Sequence, residues 1–165
     1  MNLIVRPALP SDAEGVAQVH VQAWQETYGY VLPQEQLDAM VAADRVERWR
    51  EILNGSDGQR AWVALNADEQ VIGWVTFGAC RDEDRPGLDE LYGIYTIAPM
   101  HGQGAGQALL EAGIGDDETS LWVMSGNDRA IRFYERNGFV LDGTVQDDEI
   151  WGIPIKELRM VRPAQ

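Results

Sequence analysis

Apolar positions recur along the chain with two periods, and the switches between them mark its elements. Residues 3–6 read as a short first strand. Ser11-Asp12-Ala13-Glu14 has the spacing of a capping box. Behind it Val16, Val19, His20, Ala23, Trp24 and Thr27 keep one helical face. Pro33 can open a second helical region that carries Leu37, Met40, Val41, Val46, Trp49, Ile52 and Leu53. The turn-forming residues 54–58 end it. Two strands are predicted at 61–65 and 71–79, joined by the polar stretch 66–70. After a charged loop at 81–87, residues 91–97 are apolar on both faces, the signature of a buried central strand. A glycine-rich turn then leads into a helix with Ala105, Ala108, Leu109 and Ala112 in register, and 121–124 is another short buried strand. Asn127 is placed to cap a helix running to Asn137, with Gly138 as its left-handed stop. Residues 139–145 and 150–160 close the chain as an antiparallel pair. The order βααβββαβαββ predicts one α/β domain over residues 1–165, a mixed sheet with helices on it.

Composition narrows the functional classes. With 165 residues and 45% apolar positions, the chain can bury a sizeable core. No apolar run approaches a membrane span, and the first residues lack a signal-peptide plan. Cys80 is the only cysteine, so no internal disulfide forms, and no His/Cys group has zinc spacing. A cytoplasmic protein without a metal is therefore expected. The 13 Lys and Arg stand against 27 Asp and Glu, a net charge of −14. Such a field disfavours nucleic acid and attracts a cation such as an amine. An acidic surface also simply keeps a protein soluble. A homodimer is left open.

The most specific segment is 101–106, His-Gly-Gln-Gly-Ala-Gly, which runs straight into Gln107-Ala108-Leu109-Leu110. A glycine turn opening a helix suits a phosphate. Small residues let the backbone approach an anion, and the first helical N–H groups and the dipole attract it. A P-loop would need Lys followed by Ser or Thr, which is absent. The dinucleotide fingerprint GxGxxG finds Gly102 and Gly104 but meets Gln107 in its third place. The pattern Q/R-x-x-G-x-G/A fits Gly104 and Gly106, with His101 in its first place.

In this context the stretch from Glu90 to Leu110 resembles the central strand, loop and helix of the GCN5-related N-acetyltransferase (GNAT) family. Asn127, Ala130, Phe133-Tyr134-Glu135 and Asn137-Gly138-Phe139 resemble its second cofactor motif, N-x-x-A-x-x-F-Y-x-x-x-G-F. The resemblance covers nearly the whole chain. It implies the GNAT fold, a mixed, mostly antiparallel sheet of about seven strands with flanking helices and a splayed central parallel pair. It also implies acetyl-CoA as co-substrate and transfer of its acetyl group to the primary amine of a small molecule or a peptide N-terminus. The pantetheine arm would meet open backbone groups of Ile94, Tyr95 and Thr96. The pyrophosphate would rest on the loop formed by His101, Gly102, Gln103, Gly104, Ala105 and Gly106. Asn127 and Tyr134 are separated by about 700° of helix rotation at 3.6 residues per turn, so they share a face. That face would meet the pantetheine and the sulfur end.

Acyl transfer to an amine asks for an oxyanion donor, an acid and a base. The N–H of Thr96 or a neighbour is the candidate donor. The motif assigns the acid, which protonates the leaving thiolate, to Tyr134. A base is needed because an amine of pKa roughly 10 is mostly protonated at neutral pH. Glu90 resembles an acidic position found at the start of this strand in many members. An ordinary strand-end carboxylate is the alternative, and Asp89 is the next candidate. Trp24 and Tyr28 are candidates to line an acceptor pocket, with core packing equally open. His20 reads as a core or pocket residue, Cys80 as packing, and Arg129, Arg132 and Arg136 as a solvated basic face. No placed nucleophile suggests a covalent acetyl-enzyme, so direct attack is expected. His101 stands where Arg or Gln is usual. It supports the rival reading, a catalytically silent acyl-CoA-binding sensor or regulatory module.

Overall fold

The computed structural model describes residues 2–165. Its strands are β1 Ile4–Pro7, β2 Arg60–Leu65, β3 Val71–Ala79, β4 Asp89–Thr96, β5 Thr119–Met124, β6 Val140–Ile150 and β7 Ile153–Arg162. Its α-helices are α1 Ala13–Thr27, α2 Gln34–Asp38, α3 Val46–Leu53, α4 Ala105–Gly113 and α5 Asp128–Arg136. Hydrogen-bonded neighbours follow the order β1-β2-β3-β4-β5-β7-β6 in one seven-stranded sheet. The β4–β5 pair is parallel, and the β1–β2, β2–β3, β5–β7 and β6–β7 pairs are antiparallel. Among the described residues no helix is long and apolar enough to cross a membrane. Contacts gather the chain into two compact units, one of residues up to 78 with 93–115, the other of 79–92 with 116–165. Strand β4 is divided between them.

In the first unit the core joins Val16, Ala17 and Val19 of α1 to Trp49, Ile52 and Leu53 of α3 over Val63, Leu65 and Trp74 of the sheet. Fully burying one such side chain stabilises by about 1.5–3 kcal/mol. The expected capping box does not form. Asp12 instead accepts from Leu9 N–H at 2.7 Å and pairs with Arg6 at 2.8 Å, so a 3-10 turn precedes α1. The second helical region is two helices, because Met40 is buried while Val41 is extended and 50% exposed. No single helical face can hold both. Strand β4 starts two positions before the apolar run, at Asp89. Helix α4 ends against β3. A Cβ at Gly113 would lie 2.2 Å from Phe77 Cε2, so only glycine lets the two approach this closely.

In the second unit β5 is held by β7 over six residue pairs, Thr119↔Arg162 to Met124↔Glu157. It meets β4 over three, Asp89↔Thr119 to Leu91↔Leu121. Helix α5 is capped as its sequence predicts. Asn127 Oδ1 accepts from Ala130 N–H at 3.3 Å, and Gly138 adopts φ +87° behind it. The β6–β7 hairpin turns through Trp151 and Gly152, both left-handed. Buried Arg159 gathers Asp82, Asp84 and Asp142, at 3.2, 2.8 and 2.7 Å, and lies over the Trp122 ring. It thereby ties the charged 81–88 loop to the hairpin.

Candidate active site

The glycine loop and the end of β4 from Gly93 onward belong to the first unit. Gly104 is the N-cap of α4 at φ +87°, and Gly102 sits at φ +76°. A Cβ at either would meet nothing within 4 Å, so the backbone here borders open space. The first-turn N–H groups of α4 have no partner within the helix by its geometry. An anion's oxygens fit such a cradle. Gly102, Gln103 and Gly104 are exposed, while Ala105 is buried and anchors the helix start.

His101 departs from a phosphate contact. Its Nε2 lies 3.1 Å from the Thr96 carbonyl, so the imidazole is turned back onto β4 and donates there. The backbone of β4 alternates between its two edges. Ile97 N–H donates to Ile72 O on β3 at 3.1 Å, and Tyr95 O lies over Gly73. Tyr95 therefore turns its main-chain groups to β3. Ile94 and Thr96 turn theirs to the opposite edge. Of the three residues expected to meet the pantetheine by backbone, Ile94 and Thr96 thus share one edge and Tyr95 faces the other.

That ring joins the expected acceptor residues. Tyr28 Oη and Tyr95 Oη are 2.6 Å apart, and Trp24 packs edge-on to Tyr28 with centroids 5.1 Å apart. Tyr95 also contacts Trp74, which contacts Trp49 at 4.5 Å. His20 lies among these rings. Trp49 Nε1–H, which can only donate, points to His20 Nδ1 at 3.1 Å, so Nδ1 is the acceptor of a neutral imidazole. Burial, with Arg45 nearby, lowers the His20 pKa to about 4. Glu26 of α1 accepts from Ala98 N–H at 2.7 Å and ties the helix to the segment entering the glycine loop.

Tyr134, Asn127 and Glu90 lie in the second unit. Tyr134 is 7% exposed, and its ring is held edge-on by Phe133 and Phe139 at 5.5 and 5.7 Å. The Asn127 carbonyl is spent as the helix cap, so its amide N–H groups are the ones that can face a ligand. Arg129, Arg132 and Arg136 are exposed, and Cys80 packs with Sγ 3.4 Å from Ser120 Oγ.

Glu90 is 1% exposed, and Arg81 engages it. Arg81 donates from its backbone N–H at 3.0 Å, from Nε at 3.2 Å and from Nη2 at 2.7 Å, engaging both carboxylate oxygens. The guanidinium also lies 4.3 Å over the Tyr92 ring, and its bond to Glu90 raises its own pKa. These three donors take both lone-pair directions of Oε2 and one of Oε1. Asp89 is half-buried beside it. The pairing spans the whole loop between β3 and β4, so it depends on hairpin register and not on any local motif.

A second carboxylate in this unit escaped the sequence reading. Glu157 of β7 faces Gln146 of β6, whose Nε2 donates to its Oε1 at 3.1 Å. Partial burial, with Asp148 nearby, raises the Glu157 pKa, although Gln146 and Arg81 act the other way. A lone glutamate in a terminal hairpin carries no signal of this kind in sequence.

Comparison with known proteins agrees with this architecture. The sequence model of the Acetyltransferase (GNAT) family matches residues 19–139. The uncharacterized N-acetyltransferase YuaI of Bacillus subtilis (strain 168) is 30% identical over 167 residues, covering 96% of this chain and 92% of its own. The probable N-acetyltransferase Rv2775 of Mycobacterium tuberculosis (strain ATCC 25618 / H37Rv) is 27% identical, covering 86% and 82%. Among solved structures, the PaiA N-acetyltransferase of Thermoplasma acidophilum, in complex with coenzyme A, superposes with a TM-score of 0.75 at 20% identity and covers 99% of both chains. Its likeness speaks for the fold. The chain belongs to the GNAT family of acetyltransferases.

Proposed function

We propose that this GNAT acetyltransferase moves the acetyl group of acetyl-CoA to the primary amine of a small molecule or a peptide N-terminus by direct attack. The observation that carries the reading is the cradle at Gly102 and Gly104, two left-handed glycines bordering open space at the start of a helix. Bound acetyl-CoA supplies a thioester carbonyl for the amine to attack and a thiolate to leave. In this reading the loop N–H groups of residues 102–106 hold the pyrophosphate. The Ile94 and Thr96 main chain aligns the pantetheine, with the Thr96 N–H placed to donate to the oxyanion. The Asn127 amide donates to the arm, and the Tyr134 hydroxyl protonates the thiolate. Trp24 and Tyr28, gathered with Tyr95, offer an aromatic wall to the acceptor. The acidic surface draws a cationic amine toward the protein at low salt. Compartment and oligomeric state stay as expected above, a cytoplasmic protein open to dimerisation.

The test has two readouts. Gly104→Val places a branched side chain in the cradle and should abolish acetyl-CoA binding by calorimetry while circular dichroism stays native. Wild-type protein with acetyl-CoA and an amine panel should release free thiol. Unchanged affinity in a folded Gly104→Val protein removes the cradle. Binding without turnover on any amine favours the regulatory module, for which the turned-back His101 speaks.

A further inference from the structure

We propose that the outer edge of β6 is an interface between two copies of this chain, paired antiparallel about Val145. The inference concerns the second unit alone and does not depend on the transferase reading. Strand β6 ends the sheet, so one of its edges meets no neighbouring strand. At 11 residues it is also the longest strand. A long open edge is a template for another chain.

Apolar side chains are concentrated on this edge. Of the eight large apolar side chains exposed among the described residues, Val140, Leu141, Val145 and Trp151 lie on β6 and its turn. Trp151 stands at φ +54°, a conformation that costs a bulky side chain energy. Two-residue hairpin turns with left-handed residues ordinarily take Asn or Gly there. A tryptophan kept at a strained and exposed tip is accounted for by a partner that covers its ring, and such rings anchor interfaces.

The main chain fits the same arrangement. Ile150 pairs with Ile153 across the two-residue turn, which directs the Ile150 main-chain groups inward to β7. Alternation along the strand then turns those of Val145 and Asp147 outward. Glu149 N–H, outward as well, is taken by Asp148 Oδ1 at 2.8 Å. Val145 is the midpoint of β6. A two-fold axis beside it lets Val145 exchange both hydrogen bonds with its own mate.

Charge selects the direction of pairing. The end of β6 reached from α5 is basic, with exposed Arg132 and Arg136 offset by Glu135, and with Arg162 beside Gly138. Asp142 at this end is already held by Arg159. The other end carries exposed Asp147, Asp148 and Glu149, of which Lys156 offsets one at 3.0 Å. Parallel pairing would set acid against acid. Antiparallel pairing sets each acidic end against the partner's basic end, and it brings Trp151 beside the Val140 and Leu141 positions of the other copy. The net charge of −14 on each copy opposes association in general, so the local match decides the alignment.

Sedimentation equilibrium of the full chain, without ligand, tests the interface. The wild type should be a dimer in reversible exchange with monomer. Trp151→Ala should weaken it by about 30-fold or more, the effect of losing a central anchor. Val145→Lys sets two ammonium groups face to face at the axis and should leave monomer alone. The double variants Arg132→Glu with Arg136→Glu, and Asp147→Lys with Glu149→Lys, should each be monomeric by themselves. Their equimolar mixture should dimerise again, because every basic end then meets an acidic one. A misfolded variant could not give that rescue. Amide exchange at Val145 and Asp147 should slow as wild-type concentration rises. A wild type that stays monomeric up to its solubility limit overturns the proposal. So does a dimer indifferent to all four variants, or a mixture of the two charge variants that stays monomeric.

Discussion

The two units stabilise themselves by different means. In the first, Trp24, Tyr28, Trp49, Trp74 and Tyr95 pack around a neutral His20, and the binding forces are apolar burial and ring contacts. In the second, charge is gathered and matched: Arg81 on Glu90, Arg85 on Glu118, and Arg159 on three aspartates. An apolar core tolerates loss of one contact by the area it leaves. A charge cluster does not, because removing its one cation strands several anions together.

The sharpest break of this contrast is Arg159→Met. It keeps much of the side-chain volume but leaves Asp82, Asp84 and Asp142 facing one another. A loss of about 3 kcal/mol is expected, the low end for breaking a buried pair, because Asp84 is exposed. Urea unfolding measures it. Adding Asp142→Asn to the variant should restore part of the loss, and full wild-type stability in Arg159→Met would show that the cluster is idle.

Acid separates the units next. The His20 pKa is lowered from 6.5 to about 4, so the unfolded chain binds its proton first. The stability carried by neutral His20 is complete above pH 6.5 and drains away as pH falls toward about 4. It amounts to about 3 kcal/mol. The Arg159 partners Asp84 and Asp142 have pKa values lowered from 3.8, so their contribution persists until pH falls below that value. Unfolding free energy followed against pH should therefore show a step between about pH 6.5 and pH 4 that His20→Gln abolishes. A step that survives the substitution belongs to another group.

The mildest test concerns shape. Gly113→Ala drives a methyl against the Phe77 ring, itself 1% exposed and boxed in. A loss of about 1–3 kcal/mol is expected from overpacking. Gly113→Ala combined with Phe77→Leu should recover most of it. No loss in the single variant would mean that α4 can slide on β3.

Local signals were readable in the sequence, and cross-strand ones were not. Asn127, Tyr134 and Gly138 stand in one motif on one helix, so their placement followed from spacing alone. Gly104 likewise sits at the start of α4 because the turn and the helix are contiguous. The missing capping box at Ser11 shows the limit. Asp12 had a better partner in Arg6, on a strand whose register the helix pattern does not contain. The same holds for Glu90, whose start-of-strand position was legible while its pairing with Arg81 was not. Glu157 and Gln146 face each other only because the β6–β7 turn puts them there. His101 kept its predicted place, but its ring turns back to the Thr96 carbonyl, a contact that spacing cannot reveal.

Strand β4 serves both units, and each unit is assembled from two separate stretches of chain. This has a consequence for biosynthesis. During translation the first stretch emerges with α1, α3 and β3 but lacks the strand end and helix that complete it until Gly115 has left the ribosome. The second unit waits for the β6–β7 hairpin, whose second strand supplies both Arg159 and the pairing for β5. A nascent chain stalled before β7 would therefore display one edge of β5 unpaired, which makes the interval before β7 emerges the one in which a chaperone matters most.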